Sequence, residues 1–177
     1  MEQLRTVLSN DLVRLEPLGP EHLEPLRAAC AEDQEIWEIY PHSMLGEHFD
    51  SAIAMRSAFK DWVMFAVLDD RGVVGTTCYI RPDPLHGVVE IGGTYIAPRV
   101  RGSGLNRAMK LLLIEHAFAC GLRRIEFRVD ERNLRSQAAV LKLGATREGL
   151  LRHNMLTWTG YVRSTCVFGL MHEEWAG

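Results

Sequence analysis

Cysteine is scarce and scattered. Cys30, Cys78, Cys120 and Cys166 form no Cys-x-x-Cys pair. That excludes a zinc ribbon and a disulfide framework, and leaves reduced, mostly buried thiols. The seven histidines are equally dispersed, with no His-Glu-x-x-His grouping, so no metal is expected. No apolar run approaches membrane-spanning length, and the opening Met1-Glu2-Gln3-Leu4-Arg5 lacks the basic-then-apolar layout of a signal peptide. A cytoplasmic protein with no membrane contact is the expectation. Neither sign of charge is in large excess: the net charge is −3, which argues against a nucleic-acid partner held by bulk electrostatics. Repeats, low-complexity tracts and linkers are also missing. What the 177 residues do have is 47% hydrophobic content, enough for one full core. A single domain over residues 1–177 is expected.

Alternation and helical spacing then give an order of elements. Leu12–Pro17 reads as a first strand, and Pro20 with Glu21 opens a helix running to about Cys30. Glu32–Tyr40 reads as a short helix stopped before Pro41, and Phe49–Phe59 as an amphipathic one. Trp62–Leu68 and Val73–Arg81 form a hairpin about Asp69-Asp70-Arg71-Gly72. Gly87–Ile96 is the next strand, and its Gly92-Gly93 pair marks a bulge or a close approach by a backbone or ligand. A glycine-containing loop leads into the longest helix, where Leu105, Ala108, Met109, Leu112 and Leu113 recur at helical spacing, with Gly121 at its end. Arg124–Val129 alternates as a strand, Leu134–Leu143 is a helix closed by Gly144, and Thr146–Thr157 with Tyr161–His172 makes a last hairpin. A strand, a long helix and a second strand make a crossover, so Gly87–Ile96 and Arg124–Val129 should be parallel. The expected fold class is α/β with a mixed, mainly antiparallel sheet.

The stretch Arg99-Val100-Arg101-Gly102-Ser103-Gly104 meets the start of the longest helix. The first amides of a helix have no partner inside it, and their partial positive charge attracts anions, phosphate among them. Glycines let the backbone approach a phosphate with no Cβ in the way, and Arg99 and Arg101 add charge beside it. A pyrophosphate-bearing cofactor is one reading; a plain tight turn between strand and helix is the other. The loop lacks the Lys-Ser/Thr of a P-loop and the three-glycine spacing of a dinucleotide fingerprint.

Two motifs and the element order carry a resemblance. Arg99-x-x-Gly102-x-Gly104 is similar to the (Gln/Arg)-x-x-Gly-x-(Gly/Ala) loop of the GCN5-related N-acetyltransferases (GNATs). Asn133-x-x-Ser136, followed by Leu143-Gly144-Ala145, is similar to that family's Asn-x-x-Ser…Gly-Phe segment. The chain resembles this family from about Leu12 to Trp175, and within it the branch typified by the ribosomal-protein N-terminal acetyltransferases RimJ and RimL. The resemblance implies the GNAT fold, in which two parallel strands splay around the pantetheine arm of acetyl-CoA. It also implies an acyltransferase that moves an acetyl group to a primary amine of a protein N-terminus or a small molecule. Glu90–Ile96 and Arg124–Val129 would be the splayed strands. Backbone groups of Tyr95 and Ile96 would bind the arm, and Arg99 and Arg101 with the amides of Arg101, Gly102, Ser103, Gly104 and Leu105 would hold the pyrophosphate. Asn133 and Ser136 would also contact the cofactor, and a homodimer is compatible with the family.

Amide formation from a thioester needs a neutral amine, a donor for the developing oxyanion and a proton for the departing thiolate. Glu90 is the candidate base, or else a surface carboxylate on an alternating strand. Ser136 is the candidate partner of the thiolate, or else a first-turn residue of its helix. The backbone amide near Tyr95 is the candidate oxyanion donor. The tyrosine acid of many family members is replaced by Val140, and the usual Phe by Ala145. Val140 leaves room for a non-catalytic acetyl-CoA-binding module on the same fold. Trp37, Tyr40 and His42 are candidate acceptor-binding residues, with core packing as the competing reading for Trp37 and Trp62. His86 and His153 are weaker candidates on later segments.

Overall fold

The crossover forms as expected, and the rest of the molecule is arranged about it. The computed structural model describes residues 2–175. Strand β5 (Val88–Ile96) leads through a 3-10 turn at Pro98–Val100 into helix α3 (Leu105–Ala119), which returns the chain to β6 (Arg124–Asp130). β5 and β6 are parallel, with Val88, Val89 and Glu90 opposite Arg124, Ile125 and Glu126. The remaining strands are β1 (Leu8–Ser9), β2 (Arg14–Pro17), β3 (Trp62–Asp69), β4 (Gly72–Asp83), β7 (Thr146–Leu156) and β8 (Val162–Met171). They make an eight-stranded sheet in the order β1-β2-β3-β4-β5-β6-β8-β7, in which every neighbour pair except β5–β6 is antiparallel. The other helices are α1 (Leu23–Ala31), α2 (His48–Ala58) and α4 (Leu134–Leu141). Among the described residues no helix is long and apolar enough to cross a membrane.

Two apolar clusters hold the layers together. α3 lays Leu105, Met109, Leu113 and Ile114 on Val89, Ile91 and Ile96 of β5 and on Ile125 and Phe127 of β6. Each such side chain, fully buried, contributes roughly 1.5–3 kcal/mol. A second cluster joins Leu26 and Cys30 of α1, Trp37, Met44, Phe49 and Ala52 to Val73 and Tyr95 of the sheet.

The sequence expectation was off at two places for local reasons. The strand expected over Leu12–Pro17 is β2, preceded by β1, and begins at Arg14, because Asn10 Oδ1 accepts the N–H groups of Leu12 and Val13 at 3.0 and 3.1 Å and bends the chain there. The helix expected over Glu32–Tyr40 contracts to a 3-10 turn, Ile36–Ile39. Asp33 Oδ1 accepts the Ile36 N–H at 3.1 Å and so starts the turn late.

β5 carries one extra residue. Thr76 of β4 faces Tyr95, but Cys78 faces Gly92, so three β5 steps answer two on β4. Gly93 takes φ +59, the left-handed conformation that a side chain disfavours and that marks such bulges. The insertion changes which residues face α3. Val89 and Ile91 do so before it; after it, Thr94 and Ile96 do, and Tyr95 passes to the opposite face. A bulged strand also bends, and β5 leaves β6 after Glu90 while β6 continues along β8 to Asp130.

Candidate active site

The glycine loop has the geometry of an anion seat. Gly102 and Gly104 take φ +82 and +89, with Gly104 the cap of α3. A Cβ built on either would meet nothing within 4 Å, so the loop opens to solvent. Ser103 Oγ donates to Val100 O at 2.7 Å and accepts the Leu105 N–H at 3.3 Å, which ties the loop to the helix start. Within the described residues no hydrogen bond takes the N–H of Gly102, Ser103, Gly104, Asn106 or Arg107. Those donors, converging at a helix N-terminus, fit a diphosphate.

Arg99 and Arg101 differ from expectation. Arg99 is ion-paired with Glu32 and donates to Val73 O at 3.1 Å. Arg101 pairs with Asp33 at 2.5 Å and donates to Ile96 O at 3.0 Å. Both guanidiniums are engaged by acidic residues at the end of α1, so their charge is offset and the backbone amides are the free positive groups of the loop. Asp33 answers accordingly: burial raises its pKa, but the Arg101 hydrogen bond and charge, with backbone donors, bring it net below the ordinary value.

Beyond Glu90 the edge of β5 faces a gap. A Cβ at Gly75 of β4 would lie 2.1 Å from Tyr95 O, so the Tyr95 carbonyl points at β4. Alternation then turns the polar backbone groups of Thr94 and Ile96 to the gap. Of the backbone amides near Tyr95, those of Thr94 and Ile96 face the gap, while the backbone of Tyr95 itself faces β4. The Tyr95 side chain is buried, its hydroxyl donating to Ala29 O at 2.7 Å and its ring stacked on Trp37 at 4.7 Å. Tyr40 reaches the gap edge, its hydroxyl 2.7 Å from Thr94 O. Burial raises the Tyr40 pKa to about 12, against the lowering charges of Arg56, Arg101 and Arg135, so it stays protonated at neutral pH.

Glu90 stands where the parallel strands part. Its side chain is only 13% exposed, with Arg81 and Arg128 guanidinium nitrogens 3.5 Å away. Burial raises its pKa; Arg128 and Arg81 pull it down without cancelling the rise, and Glu126 adds to it. It is a desolvated carboxylate rather than a free surface one. Asn133 caps α4, its Oδ1 accepting the Ser136 N–H at 3.0 Å. The half-buried Ser136 hydroxyl has no hydrogen-bond partner among the described residues. Val140, in place of the tyrosine, is buried in the main cluster.

Trp37 is fully buried, with its indole N–H on Cys30 O at 3.2 Å, so its side chain packs the second cluster and cannot line an acceptor pocket. Trp62 stacks on Phe59 at 5.0 Å. Burial and the charge of Arg56 lower the pKa of His42 and keep the ring neutral. His86 pairs with Asp83 at 2.8 Å in the turn that precedes β5, at the opposite end of the strand from the glycine loop. His153 lies on β7 at the sheet edge. The last hairpin folds back onto the early segment: Trp158 Nε1 donates to Trp37 O at 2.8 Å and its N–H to Pro41 O at 3.0 Å. Arg132, which follows β6, stacks 3.7 Å over Tyr161 and is paired with the buried Asp130 at 2.8 Å. The Ile36–Ile39 turn, the hairpin tip and the end of β6 therefore converge on one rim.

A family model described as an acetyltransferase (GNAT) domain matches residues 13–146. The chain belongs to the GNAT acetyltransferase family. Solved structures agree with the assignment. A protein described as a GNAT-family acetyltransferase, from Chromobacterium violaceum, is 31% identical with a TM-score of 0.90, over 98% of this chain and 89% of that one. A GCN5-related N-acetyltransferase from Brucella melitensis is 28% identical with a TM-score of 0.89, over 97% and 80%. The RimJ of Mycobacterium smegmatis, solved with CoA-disulfide, shares the fold at 21% identity and a TM-score of 0.81, over 97% and 88%.

Two residues that sequence reasoning did not single out meet beside the gap. Thr94 falls inside the strand expected over Gly87–Ile96, and Lys110 inside the helix that follows the glycine loop. Lys110 is in fact 7% exposed, its Nζ 2.7 Å from Thr94 Oγ1. A signal was present: Lys110 precedes Leu113, Ile114 and Ala117 at the spacing of one helix face, and all three are buried.

Proposed function

We propose that this GNAT transfers an acetyl group from acetyl-CoA to a primary amine, either a protein N-terminus or a small molecule, and that it belongs to the RimJ/RimL-like branch. One observation carries the proposal. The free amides at the start of α3 and the gap between β5 and β6 lie at the same end of the crossover, so one extended ligand with a diphosphate head can occupy both. The likeness of the fold to a RimJ solved with CoA-disulfide supports it.

In this reading the amides of Gly102, Ser103 and Gly104 seat the diphosphate, and the gap-facing backbone of Thr94 and Ile96 holds the pantetheine arm. Acetyl-CoA supplies the acyl group as a thioester. The acceptor enters from the face that carries Glu90 and the rim of Tyr40, His42 and the hairpin tip. Glu90 draws a proton from the amine, directly or through water. The amine nitrogen bonds to the acyl carbon, the carbon–sulfur bond breaks, and the proton lost by nitrogen ends on sulfur. Ser136, whose hydroxyl is free, donates to the departing thiolate. An α-amine, with a pKa of about 7.7–8.0, needs little of this help; a lysine-type amine at about 10.4 needs much more.

The burial of Val140 in place of a tyrosine favours a second reading, an acetyl-CoA-binding module without turnover. Calorimetry with CoA, followed by thiol release from acetyl-CoA across peptides, polyamines, aminoglycosides and amino acids, separates the two. Binding with release on any amine class supports the enzyme. Binding without release on all of them supports the module, and no CoA binding defeats both.

A further inference from the structure

Lys110 is a buried amine with no carboxylate within ion-pair distance among the described residues. Its Nζ donates to Thr94 Oγ1 at 2.7 Å, and Thr94 Oγ1 shares a hydrogen bond with Thr77 Oγ1 at 2.8 Å. On the β6 side its Nζ lies 5.9 Å from the centre of the Phe127 ring. No acidic group among the described residues lies within ion-pair distance. Burying an unpaired charge is costly, so a buried amine without an ion-pair partner holds its proton weakly. The titratable groups whose charges reach it are Cys78 of β4 and, from across the sheet, Glu90 of β5. Their pull is weaker than desolvation, which lowers the Lys110 pKa to about 7. The Cys78 thiol is itself pushed up to about 11 by burial, so it is uncharged at neutral pH.

Position decides what the amine can do. The bulge at Gly93 puts Thr94 on the α3 side of the sheet, and Lys110 approaches it from α3. Glu90 lies on the opposite face, being one residue out of phase with Val89 and Ile91, which face α3. A base for the incoming amine belongs on the Glu90 side. The α3 side instead faces the back of the thioester, whose oxygen and then sulfur gain negative charge as nitrogen attacks.

We propose that Lys110 is a positioning residue for the acyl donor: hydrogen-bonded to the Thr94 hydroxyl, it sets a positive charge under the parting of β5 and β6, against the thioester and opposite the attacking amine. This rests on the acetyl-CoA reading above. Lys110 forms no covalent bond; the proton released by nitrogen still ends on sulfur, and Lys110 lowers the cost of the negative charge on the way. When a thiolate forms beside it, the pair holds one proton between two groups, and both titrations shift.

The test uses the full chain with CoA itself. The ionisation of the bound CoA thiol is titrated by its ultraviolet thiolate absorbance, in the wild type, Lys110→Arg and Lys110→Gln. Gln keeps a donor for Thr94 and removes the charge; Arg keeps the charge. The bound thiol should ionise at least one pH unit below free CoA in the wild type, nearly as low in the Arg variant, and at or above the free value in the Gln variant. Calorimetry checks that each variant binds CoA. A Gln variant that matches the wild type would show that Lys110 only fixes the bulge by hydrogen bonding, and would overturn the proposal. So would a wild-type bound thiol no more acidic than free CoA, a measurement that needs no variant to fold. Failure of the wild type to bind CoA at all would instead overturn the acetyl-CoA reading beneath it.

Discussion

Gly104 offers the sharpest test of the phosphate seat, because two substitutions there should rank in opposite orders in the free and the bound protein. The residue caps α3 at φ +89 with open space where a Cβ would go. Gly104→Ala therefore meets no neighbour but pays the left-handed backbone cost, about 1–2 kcal/mol. For a chain of this size that lowers Tm by roughly 2–8 °C. Gly104→Asp should be less harmful to the free protein. Asp tolerates this backbone region better than Ala, and a carboxylate at a helix N-terminus gains about 0.3–1 kcal/mol. With ligand the order reverses. At ~5 Å a carboxylate and one phosphate charge repel by about 1–3 kcal/mol for effective dielectrics between those of water and a protein surface. Two phosphates make the expected loss of CoA affinity 100-fold or more, roughly, and salt should weaken it. The assay is thermal unfolding with and without CoA at ~100 times the wild-type Kd, where binding adds about 2.7 kcal/mol. The free proteins should rank Gly, Asp, Ala in descending Tm. The rise with CoA should persist in the Ala variant and vanish in the Asp variant. Equal CoA-induced rises in the two variants would refute the assignment of the loop as the diphosphate seat.

Other predictions follow from the site and its surroundings. Glu90→Gln should cut turnover of a polyamine or lysine-type amine about 100-fold and that of an α-amine much less; equal losses on both would remove Glu90 as the base. Glu90→Gln should also raise stability at pH 7. Because the folded pKa of Glu90 is raised, its favourable contribution exists below the unfolded value of about 4.3 and is lost as pH rises through the folded one, so the advantage of the variant should fade below pH ~4. Asp130→Asn should cost about 3 kcal/mol, since it strips the buried Arg163 and the half-exposed Arg132 of their carboxylate. Burial raises the Asp130 pKa, but Arg132 and Arg163 bring it net below the ordinary value, so its stabilising contribution is present above the unfolded value of about 3.9 and lost as pH falls. Urea titrations at pH 7 and pH 3 should find the gap between wild type and variant narrowed at the lower pH. Ser136→Ala should lower kcat about 100-fold without changing Tm. Asn133→Ala should instead lose about 1 kcal/mol of stability, seen as an earlier denaturation midpoint, because it removes the α4 cap.

The sequence by itself determined the crossover, the glycine loop and the caps. These are local facts: helical spacing from Leu105 onward, Gly104 and Gly121 at the two ends of α3, and Gly144 closing α4 each depend on a few neighbouring residues. Gly92-Gly93 left a bulge or a close approach open, and the bulge is what forms. What only the tertiary structure decided is everything that depends on residues far apart in the chain. The acidic end of α1 takes the charge of Arg99 and Arg101, and nothing in the loop's own sequence announces Glu32 or Asp33 as partners. Trp37 is buried because Tyr95 crosses to its side of the sheet, and Tyr95 crosses because one extra residue in β5 reverses the facing of everything after it. The same reversal brings Thr94 to Lys110 and leaves Glu90 on the other face. A single-residue shift in strand phase is invisible to composition and spacing, yet it settles which side chains meet across the gap.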